Sequence, residues 1–347
     1  MRAAEKGGGA GSSDHGGKRI CPGMGPCGVV KVPRGRGIGV SGHGFHHARR
    51  QRRRHRLRLR LAVMWIDYAA RQALISLGAF VRAPRLELAA QATSLSFPQE
   101  GSTVISMTTH GNRMSTSVAS IASLLMGTQL LPVFLWLDRA DFESDWPDGL
   151  RGLVDRGLQV RCSDGAFGPH TKYLGTFAQF SGTDTRVITV DDDMMYPRWF
   201  AQKLLNASDA NPHLVVAYRA HEIAFDGDEL DTYRRWKRVF TTAPSHRHFA
   251  TGVSGVAYPP SMVEYVANQG TSFLECAPKA DDVWLNACAL RSGHKVRQVF
   301  PHPREFSIVP GSQRTALVRK NLGGGGNDKQ IEATYTRDDI EKLLHEP

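Results

Sequence analysis

The sequence predicts an α/β domain on a mostly parallel central sheet, preceded by a disordered basic tail. Two observations predict the sheet. From Thr103 onward, short β-rich runs alternate with stretches of helical apolar spacing. The strongest run, Arg186 to Val190 (RVITV), is nearly all β-branched and apolar before it meets three aspartates. A third observation predicts the tail. Residues 1–63 hold 15 Lys/Arg against 2 Asp/Glu and 14 of the 35 glycines, a composition too polar to bury a core.

In chain order, Thr103 to Thr109 (TVISMTT) reads as the first strand and Met114 to Met126 as the helix that follows. Val133 to Leu137 (VFLWL) is a second strand, ending on Asp138. A helix carrying Leu150, Leu153 and Val154 leads to a third strand at Leu158 to Cys162, and Arg186 to Val190 is the fourth. The second half is less regular. It offers a strand at Leu214 to Tyr218, a glycine-bearing strand and turn at Thr251 to Pro260, a helix after Pro260 and another from about Asp281 to Ser292. Gly323 to Gly326 with Asn327-Asp328 reads as a loop, and a short helix is expected at 337–344. Four regions result: a tail over 1–63, a helical lead-in over 64–100, the α/β domain over 101–332 and a C-terminal segment over 333–347.

Composition narrows the function. Removing the tail from the 44 basic and 33 acidic residues leaves 29 against 31, so the body is near neutral and no specific nucleic-acid partner is expected. The Arg49 to Arg60 run reads as a solvated arm, with an anionic-lipid or phosphate-binding arm as the second reading. Met64 offers a third: an over-extended start, since composition turns ordinary there. Residues 65–80 place Ile66, Ala69, Ala73, Leu74, Leu77 and Phe80 at helical spacing, a face expected to pack on the body. Five cysteines without a CxxC pair, no apolar span of membrane length and no secretory leader point to the cytoplasm, with peripheral contact at the inner face of the membrane.

Ligands of such sheets gather beyond the carboxyl ends of the strands, which directs attention to Thr109, His110, Arg113, Asp138 and Asp191 to Asp193. Three adjacent carboxylates repel one another, and a divalent cation removes the conflict. Side chains alternate along an extended segment, so Asp191 and Asp193 are expected to share one side and suit Mn2+ or Mg2+ carrying substrate phosphates, while Asp192 points away towards backbone amides. A solvated acidic turn is the competing reading. Asp281 and Asp282 open a helix, and one of the two exceeds what a cap needs.

The run RVITVDDDMMYP resembles the DxD motif of glycosyltransferases with the GT-A fold. Pro169-His170-Thr171-Lys172-Tyr173, Thr251 to Pro260 (TGVSGVAYPP), Ala280 to Leu285 (ADDVWL), Asn321 and Asn327-Asp328-Lys329-Gln330 are similar, in order, to the GP-x-TK, TGVGGxLYPP, xDDxWL, N and NDKQ elements of bacterial capsule-type members. The resemblance covers about 103–332. It implies a GT-A-like nucleotide-sugar-binding domain in polysaccharide biosynthesis, with a nucleoside-diphosphate sugar as donor and a glycan or glycolipid as acceptor. It further implies Asp193 as direct metal ligand, Asp191 at ribose or metal-bound water, and His302 as a third ligand, with His294 and His221 as competitors. Lys172 would neutralise the diphosphate, Gly252 and Gly255 would admit the donor sugar, Asp282 would be the general base of an inverting reaction, and Trp284 would stack on the acceptor. Lys172 as an ordinary surface lysine, and Trp284 as a core residue, stay open. So do two other classes: a metal-dependent nucleotidyltransferase or phosphatase, and a basic-arm protein that binds nucleic acid or membrane.

Overall fold

In the computed structural model, the described residues are 78–312 and 326–346. The expected tail over 1–63, the first part of the lead-in helix and Asn321 lie outside them. The core of the domain is a seven-stranded sheet in the order β3-β2-β1-β4-β12-β6-β13. Its strands are β1 (Thr103–Thr108), β2 (Val133–Leu137), β3 (Gln159–Cys162), β4 (Arg186–Thr189), β6 (Val215–Ala217), β12 (Val256–Tyr258) and β13 (Val296–Gln298). All pairings are parallel except those of β12 with β4 and β6.

Strict alternation of side chains sorts the sheet into two apolar layers. Val104, Phe134, Val187, Val215 and Tyr258 face one core. Ile105, Met107, Leu135, Ile188, Val216 and Ala257 face the other. Helices α5 (Thr171–Phe180), α7 (Pro260–Asn268) and α9 (Asp281–Arg291) cover the first layer through Tyr173, Phe177, Met262, Val263 and Leu285. Helices α2 (Arg113–Leu125), α4 (Asp148–Val154) and α6 (Phe200–Asp209) cover the second through Val118, Ile121, Leu150, Phe200 and Leu204. Each such residue contributes about 1.5–3 kcal/mol by leaving water. Burial on both faces is why these strands read as unbroken apolar runs.

Strand order runs outward from β1 to β2 and β3 on one side and to β4 on the other. The carboxyl ends of β1 and β4 therefore flank a topological switch point, where open α/β sheets leave a crevice. After β4, the pair β5 (Met194–Met195) bonds antiparallel to β14 (Ser307–Ile308), and the Val309 amide donates to the Asp193 carbonyl at 2.8 Å. A second small sheet joins β7 (Ala220–Glu222) to β10 (Lys237–Arg238) and β11 (His248–Ala250).

The lead-in is helical over 78–92, and of the face expected over 65–80 only Phe80 lies within the described residues. Phe80 is exposed, and Ala79 and Ala83 pack against Ala119, Met195 and Val309 instead. Small side chains let this helix approach closely enough for Arg82 to donate to the Tyr196 carbonyl at 2.8 Å. At the other end, α10 (Gly326–Thr334) and α11 (Arg337–Leu344) pack on α9. Asp339 holds Arg291 there, and Tyr335 Oη donates to Asn286 Oδ1 at 2.6 Å. The C-terminal segment is thus part of the same core layer. Among the described residues no helix is long and apolar enough to cross a membrane.

Candidate functional site

The aspartates after β4 do not continue the strand. Asp192 and Asp193 sit in a turn, so the alternation expected of an extended chain is lost. Asp192 is buried and meets side chains, not the backbone amides expected for it. Thr109 Oγ1 donates to its Oδ2 at 2.6 Å, and Arg113 Nε donates to the same oxygen at 2.9 Å. Arg113 also bonds Asp192 Oδ1 and reaches Asp193 Oδ2 at 3.4 Å. Burial alone would lower the Arg113 guanidinium, but the bond to Asp192 and the three aspartate charges outweigh it and raise it. The residues that end β1 and begin α2 thereby bind those that end β4, across the switch point.

Asp191 is fixed differently. Tyr196 Oη accepts from its amide at 2.8 Å and Ser120 Oγ donates to its carbonyl at 3.1 Å. Its Oδ1 lies 3.0 Å from Lys172 Nζ. Lys172 also reaches Asp281 Oδ2 at 2.8 Å, so this buried ammonium joins the acidic triplet to the start of α9. Desolvation opposes the charge on Lys172, yet Asp191 and Asp281 hold its affinity for the proton well above the usual lysine range. Asp281 therefore does not serve as the cap expected for it. Ala280 is the N-cap of α9, with no side-chain capping bond.

Asp282 lies beside Asp281 and accepts from the Gly252 amide at 2.8 Å. A Cβ on Gly252 would fall 2.8 Å from Asp282 Oδ1 and 3.1 Å from Lys172 Nζ, so only glycine admits this approach. Burial and then the Asp281 charge push the Asp282 carboxyl up to about 8. Asp193 is pushed up to about 6, by burial and then by Asp191 and Asp192. Gly255, at φ +96°, leaves no room for a side chain, since a Cβ there would fall 2.9 Å from the Phe200 ring, and Ser254 holds a left-handed φ of +75°.

Two peripheral devices set α5 and α9. His170 stacks on Phe273 with ring centroids 3.9 Å apart, and its Nε2 donates to the Ala277 carbonyl at 2.7 Å. Burial pushes its imidazole down to about 4, which keeps the ring neutral. From the C-terminal helix, Asp328 Oδ1 accepts from the Tyr233 amide at 2.7 Å and Gln330 Oε1 from the Lys279 amide at 2.8 Å.

Five carboxylates, Asp191, Asp192, Asp193, Asp281 and Asp282, thus share two internal cations, Lys172 and Arg113. This excess of negative charge, with two of the acids raised, fits a hard divalent cation. Among the described residues no three His, Cys, Asp or Glu side chains converge as a ready cage. The donor set suits an ion that takes one or two carboxylates and fills its remaining positions with water and phosphate oxygens.

Other expected residues lie elsewhere. His302 is exposed, its ring edge-on to Phe240 at 5.7 Å, so it does not complete a triad with Asp191 and Asp193. His294 bonds Ser261 and Ser292, and its role is structural. Trp284 is a core residue packed against Phe273 and offers no open face for stacking. Asp138 ends β2 half-buried, raised by burial and by neighbouring Asp141. The parts that sequence reasoning missed are Tyr196 and Ser120, which fix the Asp191 backbone, Ser123, which holds the Tyr196 amide, and Arg219 and Tyr233, which sit near Asp282 beside the His221 expected as a competing metal ligand. A Tyr five positions after the first aspartate, within the same quoted run, was the available sign.

No protein-family model matches the chain, and no curated protein matches it in sequence. Among solved structures, a match is "Crystal structure of GalNAc-T7 with UDP, GalNAc and Mn2+", with TM-score 0.38 and 14% identity over 59% of this chain and 43% of that one. The chain therefore spans less than half the length of that protein's chain.

Proposed function

We propose that this chain is a metal-dependent glycosyltransferase with a GT-A-like domain, moving a sugar from a nucleoside-diphosphate donor to a glycan or glycolipid acceptor with inversion. The observation that carries this reading is the Lys172 bridge. It brings an acidic triplet at the switch point and a second acidic pair, in which Asp282 is raised to about 8, into one site. A hydrolytic or nucleotidyl-transferring centre needs the triplet but gives no work to Asp282 on Gly252.

Asp191 and Asp193 would hold Mn2+ or Mg2+, which supplies charge to stabilise the departing diphosphate. The remaining work belongs to the chain. Arg113 and Thr109 keep Asp192 in place, so the turn presents its neighbours towards the crevice. Asp282, with its proton affinity near 8, is matched to taking a proton from an acceptor hydroxyl near neutral pH. Lys172 keeps Asp281 from displacing it at the Gly252 amide. A cytoplasmic enzyme with peripheral membrane contact is the setting we assign, in accord with a glycolipid acceptor.

The test is a panel of nucleotide-sugars with the full chain, read as Mn2+-dependent donor hydrolysis or binding. Turnover with one nucleotide-sugar that EDTA abolishes supports the reading. Phosphate release from nucleotides without any sugar preference would favour the phosphatase class.

A further inference from the structure

A second polar group sits beside Asp282 on the small sheet, and the mechanism above does not use it. Arg219 immediately precedes β7, of which His221 is the second residue. Arg238 is paired directly opposite His221 across the β7–β10 ladder and joins them there. Arg219 Nη2 lies 3.4 Å from His221 Nε2, and the Tyr233 ring packs on the imidazole at 5.6 Å. One carboxylate, Glu305, serves both arginines, at 3.2 Å from Arg219 and 2.7 Å from Arg238. Arg219 Nε and His221 Nδ1 are buried with no hydrogen-bond partner among the described residues.

This face adjoins the candidate base. The Thr251 amide donates to the Arg219 carbonyl at 3.2 Å, and the next amide, Gly252, donates to Asp282. Tyr233 feels the Asp282 charge, which together with burial pushes its phenol up to about 12. Burial, Arg219 and Arg238 push His221 down to about 4, so the ring is neutral and the local potential positive. Two guanidiniums served by a single exposed carboxylate, and two orphaned N and N–H groups, describe a site short of one anion.

We infer that Arg219, His221, Tyr233 and Arg238 form a subsite for an anionic group, a phosphate or a carboxylate, carried by the acceptor; this rests on the transferase reading. Glu305 occupies part of that subsite until the acceptor arrives. The acceptor hydroxyl at Asp282 then belongs to a sugar whose acidic substituent is held on the small sheet, which makes the enzyme selective for charged over neutral acceptors.

The probes are inorganic phosphate and glucuronate, titrated into the full chain by NMR line broadening, with wild type, Arg219→Gln, Arg238→Gln and Glu305→Gln. The expected result is opposed changes. Binding of the favoured probe weakens 10-fold or more in Arg219→Gln and Arg238→Gln, and tightens several-fold in Glu305→Gln, which removes the competing carboxylate. Whichever probe binds more tightly names the acidic group. Should Arg219→Gln fail to fold, the opposed pair Arg238→Gln and Glu305→Gln decides. Unchanged affinities in these variants would overturn the proposal, as would displacement of the probe by UDP with Mn2+, since the anion would then be the donor's. Binding of UDP with Mn2+ to wild type is measured in parallel. Its absence would count against the transferase reading, while opposed shifts of the probe would still report on this cluster.

Discussion

The Gly252 amide donates to Asp282 Oδ1 across 2.8 Å, and where a Cβ would stand the same glycine leaves room for both Asp282 and Lys172 Nζ. Both approaches depend on the missing side chain. Gly252→Ala is therefore expected to fold, to displace Asp282 from the amide and to lower transfer by about 10- to 100-fold, within the range for a misplaced general base. Donor affinity should change little. Single-turnover transfer beside donor Kd checks this, and equal losses in both would deny the site its division into base and donor halves.

Asp282 should govern the pH profile. With its carboxyl at about 8, transfer rises with pH up to that value and then levels. Asp282→Asn should remove the rise and lower transfer by roughly 100-fold or more. Asp281→Asn removes a charge that raises Asp282, so its midpoint should move to lower pH. A raised folded-state acid also makes stability fall as pH climbs from the unfolded value through about 8, so Asp282→Asn should gain stability over wild type above pH 8. A pH–rate profile and denaturation at pH 6 and 9 test both signs.

The acidic triplet should divide by task. Asp191→Asn and Asp193→Asn should abolish Mn2+-supported nucleotide binding while the fold survives. Asp192→Asn should cost about 2–3 kcal/mol of stability, because it unpairs Arg113 in a half-buried site. Titration calorimetry with Mn2+ and UDP, alongside urea unfolding, separates the two outcomes.

Ser254 stands at φ +75°, where glycine is the natural occupant. Ser254→Gly should stabilise the fold by up to about 1 kcal/mol, the left-handed strain relieved exceeding the added freedom of the unfolded chain. Gly255→Ala, at φ +96° against Phe200, should do the reverse by more than that. Urea midpoints for the pair decide it, and a destabilised Ser254→Gly would count against the strain.

Glu346 supplies a check on the C-terminal packing. Amides of His246 and Arg247, Ser245 Oγ and Lys295 Nζ surround its carboxylate and outweigh its burial, bringing it down to about 2. A lowered acid contributes stability that is present above its unfolded value near 4.5 and lost as pH falls towards 2. Glu346→Gln should therefore lose about 1–3 kcal/mol at pH 7 and match wild type near pH 2. Urea unfolding across that window measures it.

The strands were legible because burial on both faces forces β-branched runs; Val133–Leu137 is read to the residue and Arg186–Thr189 to within one. The small sheet was not, since β7 and β10 carry His, Glu, Lys and Arg, and their strand state comes from pairing with each other. Asp191 to Asp193 were found by their place at a strand end. Lys172, Thr109 and Arg113 were singled out as well, but not their pairing with these carboxylates, because Lys172 lies 109 residues from Asp281 and no local spacing shows which aspartates it joins. Trp284 illustrates the opposite limit. Two aspartates precede it in the motif, but α9 turns its indole inward against Phe273.

The clasp formed by Asp328 and Gln330 has a consequence for biogenesis. These side chains hold the Tyr233 and Lys279 amides, on the segment beside Asp282 and on the loop that leads into α9. Both follow Asp282 in the chain, by 46 and 48 positions. A ribosome therefore releases β1, β4 and the acidic triplet, all before position 194, well ahead of the side chains that tether the segments around Asp282. Under the proposed reading, the proton-accepting half is the last part of the site to be fixed during synthesis.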